Sequence, residues 1–294
     1  MTMRSQPVTN KGKRGCCEGA TMKTKIAIIG YGSMGKMLLE KIIGAKIIPE
    51  NYIYLSNRTL EKIKILKERY NIHICDTNVE AAKNADLIFL CIRPTDIKTV
   101  LEEIITVIDK KTHIISLNGS IRFEQLERIC RENKISKIIP SVTAEINESQ
   151  TLVCHNKKVA EKDKKTLMKI LKSFGDVIEL PEEELGMGAE LVSCMPGFIA
   201  ALFNEIKKEA QKHTNITEHQ IIAMLAHTMV GTGRLIIEKN MTFEAVIERV
   251  ATKGGITEEG TKIIERDFPE VVEKMFNKTL EKRKIIAENV EKSM

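Results

Sequence analysis

From Lys25 onward the apolar positions change their period, and the changes divide the chain. Short continuous apolar runs, KIAIIG, YIYLS, ADLIFLCI and THIISLN, alternate with stretches whose apolar residues return every three or four positions. Runs of that length suit strands buried on both faces, and their alternation with amphipathic helices predicts a parallel sheet covered on both sides. Helices are expected through Leu38 and Ile43 and through Ile63 and Leu66. Further strands are expected at KIIPS, QTLVCH and DVIEL, with a Lys-rich helix over 162–173 before the last of them.

Pro181 and the acidic run Glu182 to Glu184 end this regime. Beyond them Leu185, Ala189 and Val192, then Ile199, Leu202, Phe203 and Ile206, keep helical spacing, which predicts an all-α second half. Within 216–238 the pairs Ile221/Ile222, Leu225/Ala226 and Met229/Val230 recur every four residues. That stripe is too rich for a lone surface helix and is expected to be covered, within the subunit or between subunits.

With 294 residues the chain has room for about two domains. Charged residues make up 29%, and no uninterrupted apolar run approaches the roughly 18–20 residues of a membrane-spanning helix, so a globular cytoplasmic protein is expected. Half of the net charge of +6 sits before residue 22, where Arg4, Lys11, Lys13 and Arg14 face only Glu18. Residues 1–21 have no periodic apolar face and read as a disordered, upstream or non-native leader; a transit signal would need an amphipathic helix that is missing here. The other positive charges are scattered without a basic block, which argues against nucleic acid as a partner. Seven cysteines, without a C-x-x-C and without metal-like spacing, read as reduced thiols; no metal is expected, and His219 and His227 are assigned to packing or surface roles.

Candidate chemistry begins at IAIIGYGSMG, where Gly30, Gly32 and Gly35, with Ser33 and Met34 between them, form a G-x-G-x-x-G turn between a strand and a helix. Bare backbone at a helix N-terminus accommodates a pyrophosphate, so a dinucleotide is expected there. After the second strand an NAD site offers Asp or Glu to the ribose, but here the chain reads Ser56, Asn57, Arg58, Thr59. The planar cation of Arg58 suits a 2′-phosphate, which favours NADP(H). Cys91 lies at the end of ADLIFLCI with Arg93 and Pro94 after it, and Asn118 ends THIISLN with Gly119 after it; at the carboxyl ends of strands they should border the nicotinamide. The expected architecture is α/β: a Rossmann-type doubly wound parallel sheet over 22–182 that binds NADP, followed by an all-α dimerisation and substrate domain over 183–294.

Together IGYGSMG, SNRT, CIRP, NGS, the helical second half and TKGGIT resemble the pyrroline-5-carboxylate reductase family over residues 23–285. The resemblance implies NADPH-dependent reduction of a cyclic imine to proline and a homodimer interleaved through the C-terminal helices, with room for a higher oligomer. The family signature S-P-G-G-T-T falls on Thr252, Lys253, Gly254, Gly255, Ile256 and Thr257. By that match the adjacent glycines close backbone N–H groups on a substrate carboxylate, with Thr252 and Lys253 beside it. The Thr257 hydroxyl then orients the ring nitrogen as the one side chain assigned a catalytic role.

Three segments depart from the family. M-P-N-T-P corresponds to Ile139, Pro140, Ser141, Val142 and Thr143, of which only the proline is kept; G-S-G-P-A-Y corresponds to SCMPGF; and Lys253 replaces a proline. These changes look like those of the family's late-competence branch. Two other readings stand beside the reductase: a catalytically altered NADP-binding regulatory paralogue, and a β-hydroxyacid-type dehydrogenase. The latter would need a lysine on a long interdomain helix, where 185–207 offers Lys207 only at its far end.

Overall fold

The computed structural model describes residues 21–293; the leader expected over 1–21 lies outside the described residues apart from Thr21. Eight strands build one sheet: β1 (Ile26–Ile29), β2 (Ile53–Ser56), β3 (His73–Cys75), β4 (Leu87–Leu90), β5 (His113–Ser116), β6 (Lys134–Ile139), β7 (Ser149–His155) and β8 (Gly175–Glu179). Their order is β3-β2-β1-β4-β5-β6-β7-β8. The first six are parallel, and Ile29, Ser56, Leu90 and Ser116 stand level at one end. β7 is antiparallel to β6, and β8 is parallel to β7, so the last two strands run against the rest. The connection from β6 to β7 holds too few residues for the crossover that a parallel neighbour requires, so the chain turns back on itself.

The helices α1 (Ser33–Ala45), α2 (Glu61–Lys64), α3 (Asn78–Lys83), α4 (Ile97–Ile104), α5 (Phe123–Ile129) and α6 (Glu161–Leu171) cover both faces. Successive side chains of a strand point to opposite sides. On β1, Ile26 and Ile28 meet Leu38, Leu39 and Ile42 of α1 in one core, while Ala27 and Ile29 meet Ala82 of α3 and Ile97 and Leu101 of α4 in the other. All four β1 residues are buried, which is why the strand reads as an apolar run without alternation.

After β8 the chain is helical: α7 (Leu185–Ala189), a π-helical turn (Glu190–Cys194), α8 (Met195–Ala210), α9 (Glu218–Lys239), α10 (Phe243–Val250) and α11 (Ile256–Ser293). Among the described residues the chain forms two compact units, 21–196 with 278–293, and 197–277. The change of pattern at residue 183 marks where strands stop; packing of the first unit continues past it. Leu185 and Ala189 pack with Ile139, Leu152 and Cys154. The end of α11 belongs to the same unit: Val290 enters the core beside Leu126, Arg128 pairs with Glu291 at 3.0 Å, and Gln125 also bonds Glu291.

The unit 197–277 is built from helices with local caps. Thr217 and Gln220 form a reciprocal capping box on α9, and Asn240 ends that helix in the left-handed region. Ile221 is buried, but Ile222, Met224, Met229 and Val230 are exposed, so the described residues of this unit leave much of the predicted stripe open. The helical stretches Glu182–Ala210 and Glu218–Lys239 are long and apolar enough to cross a membrane by length and composition, even though polar residues interrupt both.

Candidate functional site

The three glycines of the first turn do different work, and the packing around them shows it. At Gly30 the backbone has φ +101°, and a Cβ would lie 2.5 Å from the Cys91 carbonyl oxygen. A Cβ on Gly35 would lie 2.0 Å from the Gly30 oxygen, so α1 can approach β1 only without a side chain there. A Cβ on Gly32 would meet nothing within 4 Å. That side of the turn is open, and no side chain caps α1 at Gly32. The first backbone N–H groups of the helix therefore face outward without an intrahelical acceptor, as a pyrophosphate cradle requires.

The loop after β2 is tied to this turn. The Ser56 oxygen accepts from Gly30 N at 2.9 Å, and Asn57 Oδ1 accepts from Tyr31 N at 2.9 Å. The Ser56 side chain is buried, and its hydroxyl donates inward to Asn78 Oδ1 at 2.9 Å. Asn57 Nδ2 donates to the Thr59 oxygen. Arg58 is exposed and has no hydrogen-bond or carboxylate partner among the described residues, so its guanidinium is available to a phosphate.

The remaining mouth residues come together at the level ends of β1, β4 and β5. Asn118 Nδ2 donates to the Ile92 oxygen at 3.0 Å, joining the loops after β4 and β5. Arg93 is held by Asp96 at 3.2 Å, and Pro94 opens the short 3₁₀ turn that follows. Burial pushes the Cys91 thiol up to about 12, so it stays protonated near neutral pH and acts by packing. A Cβ on Gly119 would lie 2.8 Å from Ile139 Cδ1, the tip of a side chain that can turn aside.

In the second unit, Thr252 to Gly255 lie in the turn between α10 and α11, and Ile256 and Thr257 open α11. Gly254 has φ +72°, Gly255 N donates to the Thr252 oxygen at 2.8 Å, and a Cβ on Gly255 would lie 2.6 Å from Thr252 Oγ1. Both glycines are thus required by the local geometry. Lys253 and Thr257 are exposed, and Gly254 N donates to Glu258 Oε2 at 2.7 Å.

Comparison with known proteins follows this division. Residues 25–119 match the family model described as NADP oxidoreductase coenzyme F420-dependent, and residues 182–286 match the one described as pyrroline-5-carboxylate reductase dimerisation. The chain is 34% identical over 269 residues to pyrroline-5-carboxylate reductase 3 of Bacillus subtilis, covering 91% of this chain and 98% of that one. The protein belongs to the pyrroline-5-carboxylate reductase family. It is also 28% identical to ComE operon protein 4 of the same organism, over 87% of this chain and 93% of that one, as the resemblance to the late-competence branch anticipated. A Plasmodium falciparum pyrroline carboxylate reductase crystallised with NADP bound has the same fold, with a TM-score of 0.81 at 22% identity over 91% of this chain and all of that one.

A buried ion pair lies outside the residues that the sequence pattern singles out. Glu190, in the π-helical turn, is fully buried against Arg283 of α11, with Arg283 Nη2 donating to Glu190 Oε1 at 2.7 Å. The Cys194 thiol beside them is pushed up by burial and by the Glu190 carboxylate. Glu190 could have been noticed as a charge on an otherwise apolar helical face; nothing in the sequence points to Arg283 as its partner. Lys207, the lysine that a β-hydroxyacid dehydrogenase reading would enlist, is bonded to Glu218 at 2.6 Å. A cavity of about 650 Å³ lined by His155, Glu179 and Glu182 opens at the carboxyl ends of β7 and β8. Those strands are reversed, so it opens away from the level strand ends that carry the glycine turn, and it is not the nucleotide site. No group of metal-ligating side chains occurs among the described residues.

Proposed function

We propose that the protein reduces a carboxylated cyclic imine, 1-pyrroline-5-carboxylate, to L-proline with NADPH. The observation that carries this reading is the 34% identity to a named reductase over 91% of the chain. NADPH, when bound, supplies the hydride. The chain's own residues bind and orient. Gly30, Gly32, Ser33, Met34 and Gly35 take the pyrophosphate on backbone N–H groups, Asn57 and Arg58 take the 2′-phosphate, and Ser56 braces them from inside. Cys91, Arg93, Pro94, Asn118 and Gly119 border the nicotinamide. Thr252, Lys253, Gly254 and Gly255 hold the substrate carboxylate, which would take the place of Glu258 Oε2 on Gly254 N, and the Thr257 hydroxyl fixes the ring nitrogen. A protonated imine is already electrophilic, so placement and exclusion of water suffice and no strong base is required.

Cofactor choice rests on the unpartnered Arg58 and the missing carboxylate after β2. Arg58→Ala is expected to raise KM for NADPH about 10- to 100-fold, the worth of a lost charged hydrogen bond, and to leave KM for NADH nearly unchanged. An equal effect on both cofactors in initial-rate assays with pyrroline-5-carboxylate would remove Arg58 from the phosphate site.

The exposed apolar stripe of α9 lies inside the region matched by the dimerisation model, which supports a homodimer through the C-terminal helices. Met229→Glu should therefore yield monomers or insoluble chains, and unchanged dimers on size-exclusion chromatography would displace the interface from this helix. Five free thiols among the described residues suit a cytoplasmic protein; recovery in the membrane pellet would contradict that placement.

A further inference from the structure

The cavity of about 650 Å³ beside β7 and β8 has the size of a small-molecule site, and none of the residues placed at the nucleotide mouth lines it. One wall is apolar, made by Phe123, Leu180 and Pro181. The rest carries charge. Glu182 Oε1 accepts from Phe123 N at 2.7 Å and from Lys137 Nζ at 2.9 Å, and Lys137 is 1% exposed, so this carboxylate is fixed from behind. Glu127 Oε1 accepts from Asn156 Nδ2 at 2.8 Å and from Lys158 Nζ at 3.3 Å. In both residues these donors fall on Oε1, and Oε2 has none among the described residues.

Lys157 supplies the opposite charge. It lines the same cavity, is exposed, and has no hydrogen-bond or carboxylate partner among the described residues. Glu179 is already paired with Lys164, and burial holds the His155 imidazole below the ordinary histidine range, so it adds no charge near neutral pH. The cavity thus offers two carboxylate oxygens, one ammonium and an apolar wall. Carboxylates held at one oxygen keep their orientation when a cation binds at the other, so little side-chain entropy is lost on binding. A lone amine would leave Lys157 unmatched, and a lone carboxylate would meet repulsion from Glu127 and Glu182. A molecule that carries an ammonium, a carboxylate and an apolar body matches all three features.

We propose that this cavity binds a free amino acid with an apolar side chain, its ammonium taken by Glu127 and Glu182, its carboxylate by Lys157, and its side chain by Phe123, Leu180 and Pro181. This site is separate from the one proposed for imine reduction and does not depend on that reading. Its wall includes the start of α5, the helix that follows the Asn118 and Gly119 loop, so an occupant rests against a segment leading to the mouth of the sheet.

Titration calorimetry on the full chain at pH 7, with and without NADPH, tests it with three probes: L-leucine, L-leucinamide, which lacks the carboxylate, and N-acetyl-L-leucine, which lacks the ammonium. The wild type is expected to bind L-leucine about tenfold more tightly than either derivative, the worth of one charge-assisted contact, with or without NADPH. Lys157→Ala should weaken L-leucine about tenfold and leave L-leucinamide unchanged. Glu127→Gln keeps an oxygen for Asn156 and Lys158 but replaces the other with NH₂, so it should weaken both. Absence of saturable binding of L-leucine, L-phenylalanine and L-proline would overturn the proposal. Equal affinity for L-leucine and L-leucinamide would make this an amine site, and competition with NADPH would move the ligand to the glycine turn after β1; either overturns it. So would wild-type affinity for L-leucine in both variants, which would place the ligand outside this cavity.

Discussion

Gly35→Ala should abolish measurable NADPH binding and destabilise the first unit. The new Cβ would sit 2.0 Å from the Gly30 carbonyl oxygen, and that neighbour is backbone, which cannot swing aside as a side chain would. Either α1 lifts from β1 or the turn deforms, at a cost of about 1–3 kcal/mol, the usual range for overpacking. Moving the helix N-terminus withdraws at least two N–H groups from the pyrophosphate, which predicts a loss of affinity of about 100-fold or more. Gly44→Ala is the internal control. Gly44 is exposed in the same helix, and a Cβ there meets nothing within 4 Å, so alanine should stabilise by about 0.5–1 kcal/mol through helix propensity. Urea unfolding and nucleotide titration of both variants check the pair; similar behaviour of the two would show that the close approach at Gly35 is not limiting.

The second large effect is expected from the buried ion pair. Arg283→Met removes the cation and leaves the Glu190 carboxylate, 1% exposed, without its charged partner. Breaking a buried pair from one side costs about 3–5 kcal/mol, because the remaining charge has neither water nor a counterion. Replacing both residues, as Glu190→Leu with Arg283→Met, removes the stranded charge and should recover most of that loss. A double-mutant cycle by urea unfolding measures the coupling. Additive single and double losses would show that the two side chains do not depend on each other. Because Arg283 lies on the end of α11, the same experiment tests whether the return of that helix to the first unit contributes to its stability.

Some of this was legible in the sequence, for identifiable reasons. The strands at Ile26–Ile29 and Leu87–Leu90 announce themselves because burial on both faces requires an uninterrupted apolar run, and the glycine turn because its three glycines fall between that strand and a helix. The reversal of β7 and β8 was not legible, since QTLVCH reads the same for either direction and the short β6–β7 link decides. Ser56 shows another limit: a hydroxyl at the expected distance from a ribose turns inward to Asn78, and residue type alone does not say which way it faces. Glu190 and Arg283 are 93 residues apart, so no local pattern could join them. The stripe on α9 was legible as a surface needing cover, while its covering partner is a matter for solution measurements.

Incubation of the purified chain with pyrroline-5-carboxylate and NADPH, following cofactor absorbance and amino-acid product together, tests the proposed activity most directly. The expected result is one proline formed for each NADPH consumed, with NADH consumed far more slowly. NADPH that binds but is not consumed, with this substrate and across a panel of cyclic imines and oxo acids, would contradict it and leave a nucleotide-binding paralogue in its place.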